Sequence, residues 1–178
     1  MTFIGIVAKK TEYLNIRKNF TLNLENNSTI IWLQNNNIDS IKNVKFETLL
    51  ICSNNICKDK CLALEHLLKC AKYIIVNSDV VDLNKLKETS GVIITFGLKA
   101  KSTITMSSLS EENICICLQR EFENVNKINI EPQEICINTS KLLGNKYSKM
   151  GSLALKLLYE SQNFWKNIVK FNILCRQT

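Results

Sequence analysis

Proline occurs once and glycine five times in 178 residues, so the chain has no Gly/Pro-rich linker along which to divide. Histidine occurs once, at His66, which leaves little room for imidazole-based metal or nucleophile chemistry. No apolar run reaches the roughly 18 residues that a membrane-crossing helix needs. The first residues, "MTFIGIVAKK", lack a basic segment ahead of an apolar one, so no secretory leader is expected and a cytoplasmic location is. Net basic charge is scarce in most of the chain. Residues 1–140 carry 16 Lys/Arg against 15 Asp/Glu, whereas residues 141–178 carry 7 against 1. The net charge of +7 is therefore a property of the C-terminal segment.

What is present is apolar material, 46 % of the chain, enough for one domain spanning residues 1–178 with a full core. Eight cysteines sit within apolar runs such as "NICICLQ" and "LLICSNN", which reads as buried thiols. Cys52, Cys57, Cys61 and Cys70 surround His66, but their spacing is not that of paired zinc knuckles. Abundant Asn, Ile and Lys are what an AT-rich genome would produce.

Apolar, β-branched runs predict strands at Phe3–Lys9, Ser28–Gln34, Phe46–Ser53, Tyr73–Ser78 and Gly91–Leu98. Between them, "CKDKCLALEHLLKCAK" places Cys61, Leu64, Leu67, Leu68 and Ala71 on one helical face, and "VVDLNKLKET" is a second expected helix. Strands alternating with helices imply a Rossmann-like α/β fold: a mainly parallel sheet with helices on both faces. The pattern then changes. "STITMSSL", "NICICLQREF" and "KINIEPQEICI" follow with short gaps; Ile114, Ile116 and Leu118 alternate with Cys115, Cys117 and Gln119. This predicts an antiparallel β-hairpin extension, with a turn at "ENVN" and Pro132 at an edge or bulge. Two C-terminal helices, Lys141–Glu160 and Ser161–Arg176, close the chain. Met150, Leu153, Ala154, Leu157 and Leu158 stripe the first, and Phe164, Ile168 and Phe171 the second.

The stretch "YIIVNSDVVDLNKLKETSGVIITFGLKAKSTITMSSL" resembles the later half of the central domain of Mur ligases. In that family a strand ends in Asn-x-Asp, and a short helix and a strand ending in Phe-Gly or Tyr-Gly follow. Asn77, Asp79, Phe96 and Gly97 match in order and spacing, and Asn145 and Ala154 are similar to parts of a later helix signature whose His is absent here. The resemblance covers residues 70–160, about half the chain. It implies the α/β fold above and a relation to bacterial enzymes that form amide bonds at the expense of ATP in cell-wall precursors.

The family's phosphate loop, Gly-Thr-x-Gly-Lys-Thr, follows its first strand. Here that strand leads into "IGIVAKKTEYL": Lys10 and Thr11 are similar to the loop's end, but its glycines are missing and only Gly5 remains, inside the strand. The family's metal-binding Glu and His find no match, and its C-terminal ligase domain has no counterpart in the sequence. The expectation is a stand-alone, degenerate domain that binds a ligand, a nucleotide among the options, or acts structurally or in regulation, with no cofactor. The candidate ligand-binding residues are Asn77, Asp79, Gly97, Lys10, Thr11, Arg120 and Glu134. For Asn77 and Asp79, turn chemistry is an equal alternative. A different reading is a small enzyme built on Arg120 and Glu134, should "QRE" and "EPQE" converge. The basic C-terminal helices suggest packing on the sheet, a homodimer or a protein partner; no nucleic-acid fold signature or membrane anchor accompanies them.

Overall fold

The computed structural model describes residues 2–21, 28–53, 61–86 and 88–159. It contains ten strands and three α-helices within those residues. The chain runs β1 (Thr2–Val7), α1 (Lys10–Thr21), β2 (Ser28–Leu33), β3 (Thr48–Ile51), α2 (Cys61–Cys70), β4 (Tyr73–Asn77), β5 (Val92–Gly97), β6 (Ile104–Leu109), β7 (Asn113–Leu118), β8 (Phe122–Glu123), β9 (Asn129–Ile130), β10 (Gln133–Asn138) and α3 (Lys146–Tyr159). The expected helix Ser161–Arg176, with its apolar stripe, lies outside the described residues.

Eight strands form one sheet in the order β10-β7-β6-β5-β4-β3-β1-β2. From β2 to β6 all neighbours are parallel, and β7 and β10 add on in antiparallel fashion. β8 and β9 make a separate antiparallel ribbon. The expected α/β architecture with an antiparallel extension is thus present.

Side-chain alternation divides the core in two. Tyr73 and Ile75 of β4 join Ile4, Ile6, Ile94 and Phe96 on the face covered by α1 and α3. Ile74 and Val76 join Leu49, Ile51, Leu67, Leu68 and Ala71 on the face covered by α2. Burial on both faces is why these strands read as continuous apolar runs. All five stripe residues of α3 are buried, and each leucine among them contributes about 1.5–3 kcal/mol before entropy. Buried Asn19 ties α1 to α3: its side-chain N–H donates to Leu143 O and Ser152 Oγ, both at 3.0 Å, and its Oδ1 accepts from Leu143 N at 2.8 Å.

Two expected helices differ from what forms. Among its described residues, "VVDLNKLKET" yields a single 3-10 turn at Leu83–Leu86. There the Asp82 carboxylate accepts from both the backbone and side-chain N–H of Asn84, holding a local turn in competition with helix. The helix expected from Lys141 starts at Lys146 instead. Gly144 adopts φ +94°, which breaks the helical path, and Asn145 Oδ1 accepts from Ser148 N at 2.9 Å as the cap.

The cysteine reading also needs correction. Cys115 and Cys136 form a disulfide between β7 and β10. Their strands pair in a register that sets the two residues opposite one another, with Cα atoms 4.0 Å apart. Cys52 is a buried free thiol, as expected, but Cys70 is exposed and Cys117 half-buried.

Candidate functional site

In an open parallel sheet, ligands bind beyond the carboxyl ends of the strands, where the order reverses direction. The chain goes from β1 outward to β2 and then back across to β3, so the reversal lies between β1 and β3. Val7 and Ile51 pair at the carboxyl ends of these strands, and Cys52 N donates to Val7 O at 2.9 Å just beyond them.

The turn from β1 into α1 is short: only Ala8 and Lys9 separate strand from helix. A helix N-terminus offers unpaired N–H groups and a positive dipole end, the usual seat for phosphate. Here a carboxylate of the chain itself takes up part of that seat. Glu12, in the first turn, accepts from Lys9 N at 3.1 Å. This is one half of a capping box, an N3 glutamate reaching back to the N-cap N–H. Glu12 also lies near Cys52, whose thiol is pushed well above its ordinary range, mainly by burial and next by the Glu12 charge. Trp32 closes the flank: its indole N–H donates to Ala8 O at 3.0 Å, and its ring stacks on Tyr13 at 5.3 Å. Lys10 and Thr11 stand exposed on the outer side of this first turn.

The second half of the edge is built by the end of β4 and the end of β5. Asn77 is 0 % exposed. Its side-chain N–H donates to Cys52 O at 3.1 Å, and its Oδ1 accepts from Asp79 N at 3.0 Å, so it ties β4 to the end of β3. Ser78 Oγ meets Phe96 O at 3.2 Å and Ser102 Oγ at 2.7 Å. Asp79 Oδ2 accepts from Leu98 N at 2.7 Å, and Lys99 Nζ donates to Ser78 O at 2.8 Å. Gly97 is required by proximity, since a Cβ there would sit 2.7 Å from Ser78 Oγ and 3.0 Å from the Asp79 carboxyl carbon. Tyr147, in the first turn of α3, has its hydroxyl pushed above the ordinary range, chiefly by burial and then by the adjacent Asp79 carboxylate.

The structure therefore brings Asn77, Asp79 and Gly97 together and places Lys10 and Thr11 at the β1 end of the same edge. Arg120 and Glu134 belong to another region. β7 and β10 do pair, with Glu134 opposite Cys117, but β10 is the outermost strand and both Arg120 and Glu134 are exposed. This placement does not support an enclosed catalytic cluster there. Glu12, Trp32, Lys99 and Tyr147 escaped the sequence reading. Only Glu12 carried a signal, as an acidic residue at the third position of a helix. Among the described residues, no three His, Cys, Asp or Glu side chains gather as metal ligands.

The structure superposes on MurF from Acinetobacter baumannii with a TM-score of 0.57 at 12 % identity, over 88 % of this chain and 42 % of that one. The fold is Mur-ligase-like. A MurF ligase from Thermotoga maritima in complex with ADP gives a TM-score of 0.49 at 12 % identity, over 87 % of this chain and 44 % of that one. No protein-family model and no curated protein sequence matches this chain. The similarity to the Acinetobacter baumannii structure covers 88 % of the chain, a larger share than the half in which sequence motifs are visible, and less than half of that chain's own length.

Proposed function

We propose that this protein is a non-catalytic, Mur-ligase-like module that serves a ligand-binding, structural or regulatory role, in a setting of cell-wall metabolism. The observation that carries this reading is the hydrogen bond from Lys9 N to Glu12 Oε2. A carboxylate fixed at the head of α1 repels a triphosphate and consumes an N–H group that would hold it. The turn has no glycine to let the backbone wrap a phosphate. Asn77 is spent on internal bonds and fully buried, so ligand contact at the other half of the edge falls to Asp79 and Tyr147. Calorimetric titration and turnover assays with ATP and magnesium test the reading. Neither saturable binding nor hydrolysis is expected from the wild-type chain. Hydrolysis that disappears in Lys10→Ala would overturn it.

A further inference from the structure

The antiparallel extension buries one face only. Ile114, Ile116, Leu118 and Ile135 point into the core beneath α1 and α3. The opposite face carries Cys115, Cys117, Glu134 and Cys136, and no residue of β6, β7 or β10 belongs to the core under α2. The disulfide therefore lies on a sheet face that no described helix covers, and both its cysteines are half-buried. Cys117 is two residues from Cys115 on this same face and diagonal to Cys136, at the ~7–8 Å spacing of diagonal cross-strand neighbours.

β10 is the outermost strand, and among the described residues it pairs with no strand but β7. It leads through Asn138 and a 3-10 turn at Thr139–Lys141 toward α3. The disulfide is thus the covalent clasp on an edge strand next to a free thiol. Accessibility and a neighbouring thiol distinguish labile disulfides from sequestered structural ones.

We propose that Cys115–Cys136 is a reversible thiol–disulfide exchange site, opened and closed by low-molecular-weight monothiols of the glutathione class, and that its state sets the freedom of β10. In opening, a monothiol thiolate attacks one protein sulfur, forming a mixed disulfide and expelling the other cysteine as a thiolate, which takes up a proton. A second monothiol displaces the first as the small-molecule disulfide, and the second cysteine sulfur leaves as a thiolate and is protonated. The protein disulfide gains two electrons and two protons, and two monothiols lose them. Closing is the reverse. Direct opposition in the register selects Cys115 over Cys117 as the partner of Cys136.

The test equilibrates the full chain in glutathione buffers of stepped reduced-to-oxidised ratio. Differential alkylation with peptide mapping reads the thiols, and hydrogen exchange reads the backbone. The Cys115–Cys136 pair should interconvert fully and reversibly, Cys117→Ser should keep that transition, and reduction should raise exchange at least tenfold in residues 133–138 while β3 and β4 stay protected. A disulfide that resists millimolar reduced glutathione would overturn the proposal. So would three cysteines that stay reduced in every buffer, a dominant Cys117–Cys136 pairing, or unchanged exchange in β10. The wild-type titration decides the matter even if cysteine variants fold poorly.

Discussion

The helix-flanked strands β1–β5 and the extension strands β6, β7 and β10 share one sheet but solve different problems. The first set is covered by helices on both faces, so its central strands β3 and β4 are buried throughout and polar groups at its ends turn inward to bond one another. Asn77 is the clearest case, completely buried and doubly bonded. The second set is covered on one face, so Cys115, Cys117, Glu134 and Cys136 lie on a face that no described helix covers. The same residue type therefore has different prospects by location: Cys52, just beyond β3 of the first set, is a buried thiol, whereas Cys115 in the second is cross-linked. Burial, more than residue identity, decides what the chemistry of each strand becomes.

The difference is open to attack by substitution. Asn77→Ala should have the largest effect, because it strands Cys52 O and Asp79 N in the interior. Each unsatisfied buried group costs about 1–3 kcal/mol, which for a domain of this size corresponds to a melting temperature lower by roughly 2–12 °C per group. A thermal scan that moved by less than a degree would show that the parallel half does not rely on its internal polar bonds.

Tyr159, at the end of α3, reaches the start of β3. Its hydroxyl lies 2.6 Å from Thr48 Oγ and donates to Glu47 Oε2 at 3.1 Å. Burial first, and the Glu47 charge after it, push its ionisation far above the ordinary value of 10.0. The folded state thus retains a proton that the unfolded chain loses. The stabilisation is complete below pH 10 and declines as pH rises above it, since the unfolded state then binds fewer protons. Denaturant titrations between pH 8 and 11.5 should show this fall, shallower in Tyr159→Phe, which should lose about 1 kcal/mol at neutral pH. Parallel pH profiles for the two proteins would remove Tyr159 as the cause.

The smallest effects belong to the open region. Arg120→Ala and Glu134→Ala should each change stability by less than about 0.5 kcal/mol, as exposed positions usually do. Chemical denaturation is the check, and a loss above 2 kcal/mol in either would mean that this edge holds the fold together after all.

Which parts of this were legible in the sequence follows the same division. Buried strands announce themselves by apolar runs, and all five of the expected parallel strands are present within a few residues. Half-covered strands announce themselves by alternation, which is why Ile114, Ile116 and Leu118 mark β7 correctly. The Asn77, Asp79 and Gly97 framework was visible as a spaced motif, but its meaning was not. Only the fold brings the Asn77 amide to Cys52 O, 25 residues away in sequence. Helix ends were misjudged where a local side chain competes with the helix, at Asp82, or where a glycine turns left-handed, at Gly144. The disulfide was hidden because its partners are 21 residues apart and meet only through strand register. Glu12 looked like an ordinary helix-start residue, and nothing in the sequence tells that its carboxylate faces back over the strand ends.

The clasp between β7 and β10 also makes a covalent ring. Every residue from 115 to 136, including the β8–β9 ribbon that packs at the end of α3 through Val125 N and Leu158 O, is enclosed within it. Tension applied through the two ends of the chain passes across the sulfur bridge and bypasses that ring. With the bridge closed, the 21-residue separation hides roughly 70 Å of extended chain from any pulling force. A translocating or unfolding machine would meet a side loop of peptide at this point rather than a single thread. The oxidised and reduced chains are then different objects to such a machine even where their folds coincide.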